Sequence, residues 1–198
     1  MQIDTEHLHY WMQAIRQSPD PMRTMDAFWL GQIKSKEWLI NTLKNYITDP
    51  VDVAIYGGWV GTLASMLFQS DIPVRHISSI DIDPTCKTIA EMMNKQEEMD
   101  QRFNAHTADM CQFTAGADVI INTSCEHVEQ WKYDLWLSQQ SVDSLIVLQG
   151  NNYEIPEHVR IARNLIEFQS QCNIDVVWAG QLDLPMYSRY MLIGKKNV

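Results

Sequence analysis

Short runs of apolar and β-branched residues recur along most of the chain, and stretches with helical spacing separate them. The runs predicted to be strands are Val51–Tyr56 (VDVAIY), His76–Ile80 (HISSI), Phe103–Thr107 (FNAHT), Asp118–Asn122 (DVIIN), Ser144–Leu148 (SLIVL), Ile174–Ala179 (IDVVWA) and Arg189–Ile193 (RYMLI). Several are almost continuously apolar, as a strand covered on both faces must be. Between them the pattern predicts helices over Thr62–Gln69, Pro84–Asp100, Glu126–Gln140 and Pro156–Cys172. Asp83 and Pro84 give the second of these an N-cap and a first-turn proline. Such alternation points to a parallel sheet with helices on both faces. The last two strands are joined by QLDLPMYS, too short for a helical crossover, so they should pair as an antiparallel hairpin.

Ahead of the first strand the chain reads as two or three helices. Within Ser35–Ile47, the residues Trp38, Leu39, Thr42, Leu43, Tyr46 and Ile47 fall at helical spacing, so one face packs inward. The stretch with Trp11, Phe28 and Trp29 either covers a ligand site or simply packs. The expected organisation is a helical extension or lid over residues 1–50, on an α/β domain spanning 51–198.

Composition narrows the function classes. A chain of 198 residues, 45% hydrophobic and 20% charged, has globular character and suits one domain. No apolar run is long enough to span a bilayer, and MQIDTEHLHYW lacks the basic-then-apolar pattern of a secretory signal, so a cytoplasmic location is expected. Fifteen basic against twenty-five acidic residues leave a formal charge of −10. Lys34 with Lys36, and Lys195 with Lys196, are too few to form a nucleic-acid footprint. A small-molecule or protein partner is favoured. The cysteines Cys86, Cys111, Cys125 and Cys172 contain no CxxC pair, so neither a disulfide framework nor a metal site is expected. Seven tryptophans and eleven methionines could line a core, a lid or a homodimer interface.

Four elements carry candidate chemistry. The first strand runs through Tyr56 into Gly57-Gly58-Trp59-Val60-Gly61 and then a helix; glycines there permit a sharp turn and close approach of a ligand to the backbone. Such a turn also occurs without any ligand. In SSIDIDP, Asp81 ends the second strand and Ile82 follows it. A carboxylate at that place can accept from both hydroxyls of a ribose, while Asp83 serves as the helix cap. In HTADM, Asp109 follows the third strand and could accept from an exocyclic amine, with Met110 as an apolar surface; a further helix cap is the alternative. Last, ADVIINTSCEHVEQW opens a buried strand into Asn122, Thr123, Ser124, Cys125, Glu126 and His127.

In these features the chain resembles the class I (Rossmann-like) S-adenosylmethionine (SAM)-dependent methyltransferases over roughly residues 51–195. The resemblance implies a three-layer sandwich around a seven-stranded, mostly parallel sheet of order 3-2-1-4-5-7-6. It also implies a glycine turn under the methionine end of SAM (Gly57, Gly58, Gly61), a ribose-binding Asp81, and an adenine loop at Asp109 and Met110. Two departures from the family pattern stand out. Ile55 holds the usual acidic place and Trp59 the place of the middle glycine, so Trp59 faces either ligand or core.

Methyl transfer is an in-line displacement that needs an aligned nucleophile and, for some acceptors, removal of a proton. Glu126 and His127 are the candidate bases, with Asn122 beside them; a helix-terminal carboxylate and a backbone-bridging imidazole are the structural alternatives. The run Asn122-Thr123-Ser124-Cys125 lacks the prolines and aromatic of the base N-methylating enzymes, and Cys125 lacks a Pro-Cys context. After the fifth strand, Gln149–Tyr153 could contact substrate or only form a turn. Two other readings stay open: transfer of an aminocarboxypropyl group, as in enzymes like nicotianamine synthase, and a non-catalytic SAM- or nucleotide-binding module.

Overall fold

A computed structural model describes residues 4–197. The strands are β1 (Val51–Tyr56), β2 (Val74–Asp81), β3 (Phe103–Thr107), β4 (Val119–Asn122), β5 (Leu145–Asn151), β6 (Ile174–Asp183) and β7 (Ser188–Lys196). They form one sheet in the order β3-β2-β1-β4-β5-β7-β6. The first five are mutually parallel, and β7 runs antiparallel to both β5 and β6. The helices are α1 (Thr5–Gln17), α2 (Pro21–Asp26), α3 (Leu30–Leu43), α4 (Thr62–Phe68), α5 (Pro84–Met93), α6 (Lys95–Met99), α7 (Gln130–Ser138) and α8 (Leu165–Cys172), with a 3-10 turn at Cys125–His127.

The sheet is buried on both faces, which explains its near-continuous apolar strands. Val53 and Ile55 of β1 face one way, packing with Leu39 and Leu43 of α3 and Leu63 and Leu67 of α4. Ala54 and Tyr56 face the other way, against Tyr133 and Trp136 of α7. A third cluster joins Trp11 and Ala14 of α1 to Ile89 and Met93 of α5, so the first helix is fixed beside the glycine turn rather than over the sheet centre. No described helix is long and apolar enough to cross a membrane.

Three predicted helices are shorter than the pattern suggests, each for a local reason. The helix over Pro84–Asp100 breaks at Asn94, which is fully buried; its Nδ2 donates to Ala90 O (2.9 Å) and across to Gly61 O (3.1 Å). The helix over Glu126–Gln140 loses its first turn because Val128 and Glu129 are extended. The largest difference lies in Pro156–Cys172, where only Leu165–Cys172 is helical. Here the Val159 and Arg160 amides donate to Glu126 O (2.9 and 3.0 Å) and Ala162 to Asn151 O, so contacts with another loop replace the helical ladder.

Candidate active site

The glycine turn is built around its own neighbours. Gly57 and Gly61 have φ of +67° and +80°, and a Cβ at Gly57 would lie 2.3 Å from Ser124 Oγ. Trp59, between them, holds the left-handed conformation at φ +49° despite its bulk, an arrangement that costs on the order of 1–3 kcal/mol. What offsets the strain is a charge-assisted bond from the Trp59 amide to Asp81 Oδ2 (2.8 Å), together with packing of the indole on the cluster of Trp11, Val60, Ile89 and Met93. The choice left open by the sequence resolves into both: Trp59 packs on that cluster and also lines the cavity above the turn.

Asp81 is therefore the bracket of the turn. Its Oδ1 accepts from the Asp83 amide (3.0 Å), and each oxygen retains lone-pair capacity toward the cavity that Asp81 lines. Asp83 has the expected capping role. It accepts from the Thr85 amide (2.9 Å) and hydroxyl (2.7 Å) and pairs with Arg23 at 2.7 Å. Asp109 caps no helix. Its Oδ1 accepts from the Cys111 amide (2.8 Å) in a tight turn, and Asp109, Met110 and the exposed Ile82 line one end of the cavity.

The opposite end is formed after β4 and β5. Asn122 is fully buried; its Oδ1 accepts from the Ser124 amide (3.0 Å), and its Nδ2 has no partner although it borders the cavity. Glu126 is buried as well. Its Oε1 accepts from Arg189 and from Asn151 Nδ2 (both 2.5 Å), while Oε2 is unpartnered. His127 is exposed, with Nδ1 3.1 Å from Glu157 O. Cys125 lies behind the wall, fully buried, with its thiol pushed up by burial, so it presents no nucleophile to the cavity.

Tyr56, expected to contact the cofactor, turns its side chain away from this cavity. The Tyr56 side chain points to the sheet face covered by α7, where its hydroxyl donates to Phe113 O (3.2 Å) and its ring meets Trp136; the cavity is lined instead by Ile55 and Gly57. The period of a strand makes this unavoidable, because adjacent side chains take opposite faces.

The cavity, about 700 Å³, lies at the carboxyl edge of β1, β2, β4 and β5, where open α/β sheets take ligands. Three of its polar residues carry no sequence signal. Arg189 of β7 reaches across to Glu126 and Thr123 O (2.8 Å). His158 comes from the non-helical loop after β5. Lys36 of α3 is buried beside this end, with Nζ donating to Gln32 Oε1 (2.8 Å); burial, reinforced by Arg189, pushes its ammonium down to about 7. In the sequence Lys36 reads as one more surface charge. Glu126, His127 and His158 also form a cluster of metal-ligand type, where the cysteine pattern had suggested no metal site.

No protein-family model matches the sequence, and no curated protein matches it. Solved structures do resemble it. Magnesium protoporphyrin IX methyltransferase from Synechocystis PCC 6803, solved with bound SAH, superposes with a TM-score of 0.67 at 13% identity, covering 98% of this chain and 95% of that one. The N-methyltransferase NodS from Bradyrhizobium japonicum WM9, in complex with S-adenosyl-L-homocysteine, gives 0.66 at 14% identity over 96% and 99% of the two chains. The pyocyanin biosynthetic protein PhzM gives 0.64 at 14% identity over 94% and 62%. With its sheet order and terminal antiparallel hairpin, the chain has the Rossmann-like methyltransferase fold.

Proposed function

We propose that the protein is a SAM-dependent methyltransferase acting on a small molecule or a protein group. The observation that carries this reading is the grouping of the glycine turn, Asp81, Asp109 and Asn122 around one cavity at the carboxyl edge of the sheet. Solved methyltransferases of this fold holding SAM or SAH support it. In this assignment the free lone pairs of Asp81 accept from the ribose hydroxyls, and Ile82 and Met110 sandwich the adenine, with Asp109 accepting from its amine. Asn122 Nδ2, buried without a partner, donates to the methionine moiety. The turn from Gly57 to Gly61 runs beneath that moiety. Ile55 gives it no carboxylate, so its ammonium must be held from elsewhere in the cavity. The acceptor is activated at the edge formed by Glu126 and His127.

The chemistry divides simply. The chain orients donor and acceptor for in-line displacement and excludes water. Calorimetry with SAM is the first test: saturable binding is expected, with a loss of about tenfold or more on Asp81→Ala, since a charge-assisted pair of bonds is removed. No binding at millimolar SAM, or unchanged affinity in the variant, refutes the assignment. Product analysis then separates chemistries. S-adenosylhomocysteine supports methyl transfer, whereas methylthioadenosine would mean aminocarboxypropyl transfer.

A further inference from the structure

The turn after β4 and the loop after β5 bring together Glu126, His127 and His158, and one ligand atom of each lies within 4.8 Å of the other two. Three features set this cluster apart from a chance meeting of surface groups. First, His127 Nδ1 lies 3.1 Å from Glu157 O and His158 Nδ1 lies 2.6 Å from Tyr153 O. A carbonyl only accepts, so each Nδ1 carries the hydrogen and each Nε2 keeps a lone pair, as in imidazoles oriented for metal binding. Second, Glu126 Oε1 is fixed by Arg189 and Asn151, while the buried Oε2 is left without a partner. Third, the two segments are braced together. The amides of Val159 and Arg160 donate to Glu126 O, and Arg160 Nε donates to Cys125 O (3.2 Å), holding the two imidazoles edge-to-face at 4.6 Å.

We propose that Glu126, His127 and His158 form a site for a divalent transition-metal ion, with three protein ligands and the remaining positions open to the cavity. Two imidazoles and one carboxylate suit zinc, iron(II), cobalt or nickel, whereas magnesium and calcium take oxygen ligands. Bond lengths near 2.0–2.2 Å require the three donors to draw closer, and the exposed ring of His127 is the one free to move. The Glu126 charge is already paired with Arg189. The ion's charge must therefore be balanced by what it carries, which selects an acceptor bound through an anionic oxygen.

This last step alone rests on the methyl-transfer reading. Coordination makes an acceptor hydroxyl more acidic, and its proton leaves to solvent. The oxygen lone pair then forms the new bond to the sulfonium methyl, and the electrons of the broken C–S bond stay on sulfur, giving S-adenosylhomocysteine. His127 thus acts through the metal rather than by taking the proton itself.

The test is a cobalt(II) titration of metal-stripped, tag-free protein, followed by its visible absorption bands. One saturable site is expected, displaced by zinc and indifferent to magnesium. His127→Ala and His158→Ala should each weaken it by more than about 100-fold, because even partners one shell out from the metal are worth 10–100-fold. Circular dichroism and melting temperature should stay unchanged in both variants. Absence of saturable bands, or bands that persist unchanged in either variant, overturns the site. The readout needs neither SAM nor acceptor, and Asp81→Ala should leave it intact, so its failure is distinct from failure of the SAM assignment.

Discussion

Replacing Lys36 by methionine should make the protein more stable, by an amount that shrinks as pH rises. The ammonium is buried on α3 beside Arg189, with Gln32 as its hydrogen-bond partner, and burial brings it from the ordinary 10.5 to about 7. At about 1.36 kcal/mol for each tenfold change in proton affinity, the charged form is disfavoured in the folded chain by about 4–5 kcal/mol. The sign follows from proton counting. Between pH 7 and 10.5 the unfolded chain holds more protons at this site, so stability rises with pH through that window; below it both states are charged and the penalty is complete. Near pH 7 the variant should gain about 4 kcal/mol, less about 1 kcal/mol for the lost bond to Gln32. By about pH 9 the penalty has fallen to about 2 kcal/mol. Raised thiols, including Cys86 at about 12 and Cys172 at about 11, act in the opposite direction above the ordinary cysteine range, but both proteins share them and they cancel in the difference. Urea unfolding of both proteins at the two pH values measures the gap. A variant less stable than the parent near pH 7, or a gap independent of pH, would refute the reasoning.

Other outcomes follow from single contacts. Arg189→Met should destabilise by about 3–5 kcal/mol because it strands the buried Glu126 carboxylate; adding Glu126→Gln should recover most of that loss in chemical denaturation. Gly57→Ala sets a Cβ 2.3 Å from Ser124 Oγ at a positive φ, so it should cost at least about 1–3 kcal/mol. Ser124→Gly should rescue the clash but not the backbone strain, and full rescue would contradict that division. Asn94→Ala removes the buried amide that ties Gly61 to α5, with an expected loss of about 1–3 kcal/mol in melting experiments. With Ellman's reagent the native protein should expose at most the half-buried Cys111 to rapid reaction, while Cys86, Cys125 and Cys172 wait for unfolding; prompt reaction of several thiols would show that the core is open.

The fold was legible because most of its elements depend on local pattern. β1 and β3 begin and end where the apolar alternation predicts, and the hairpin of β6 and β7 follows from linker length alone. Asp83-Pro84 likewise marks the start of α5 without tertiary information. The site was legible only in part, and the division has a physical cause. Asp81, Asp109 and Asn122 sit at strand ends, where the sheet fixes their place from their sequence position. Tyr56 adjoins the turn in sequence, but its side chain takes the opposite face, which strand position next to a glycine turn does not reveal. Lys36, Arg189 and His158 come from a covering helix, an antiparallel strand and an irregular loop, and only tertiary contact brings them to the cavity. The loop is the clearest case. IPEHVRIARN has acceptable helical spacing, yet three amides there bond to Glu126 O and Asn151 O, a choice that no period within the segment encodes. Had it continued as a helix, those amides would have been spent on its own ladder, and nothing would brace His158 against the Glu126–His127 turn. The failure of the helical expectation and the existence of the imidazole pair are therefore the same event.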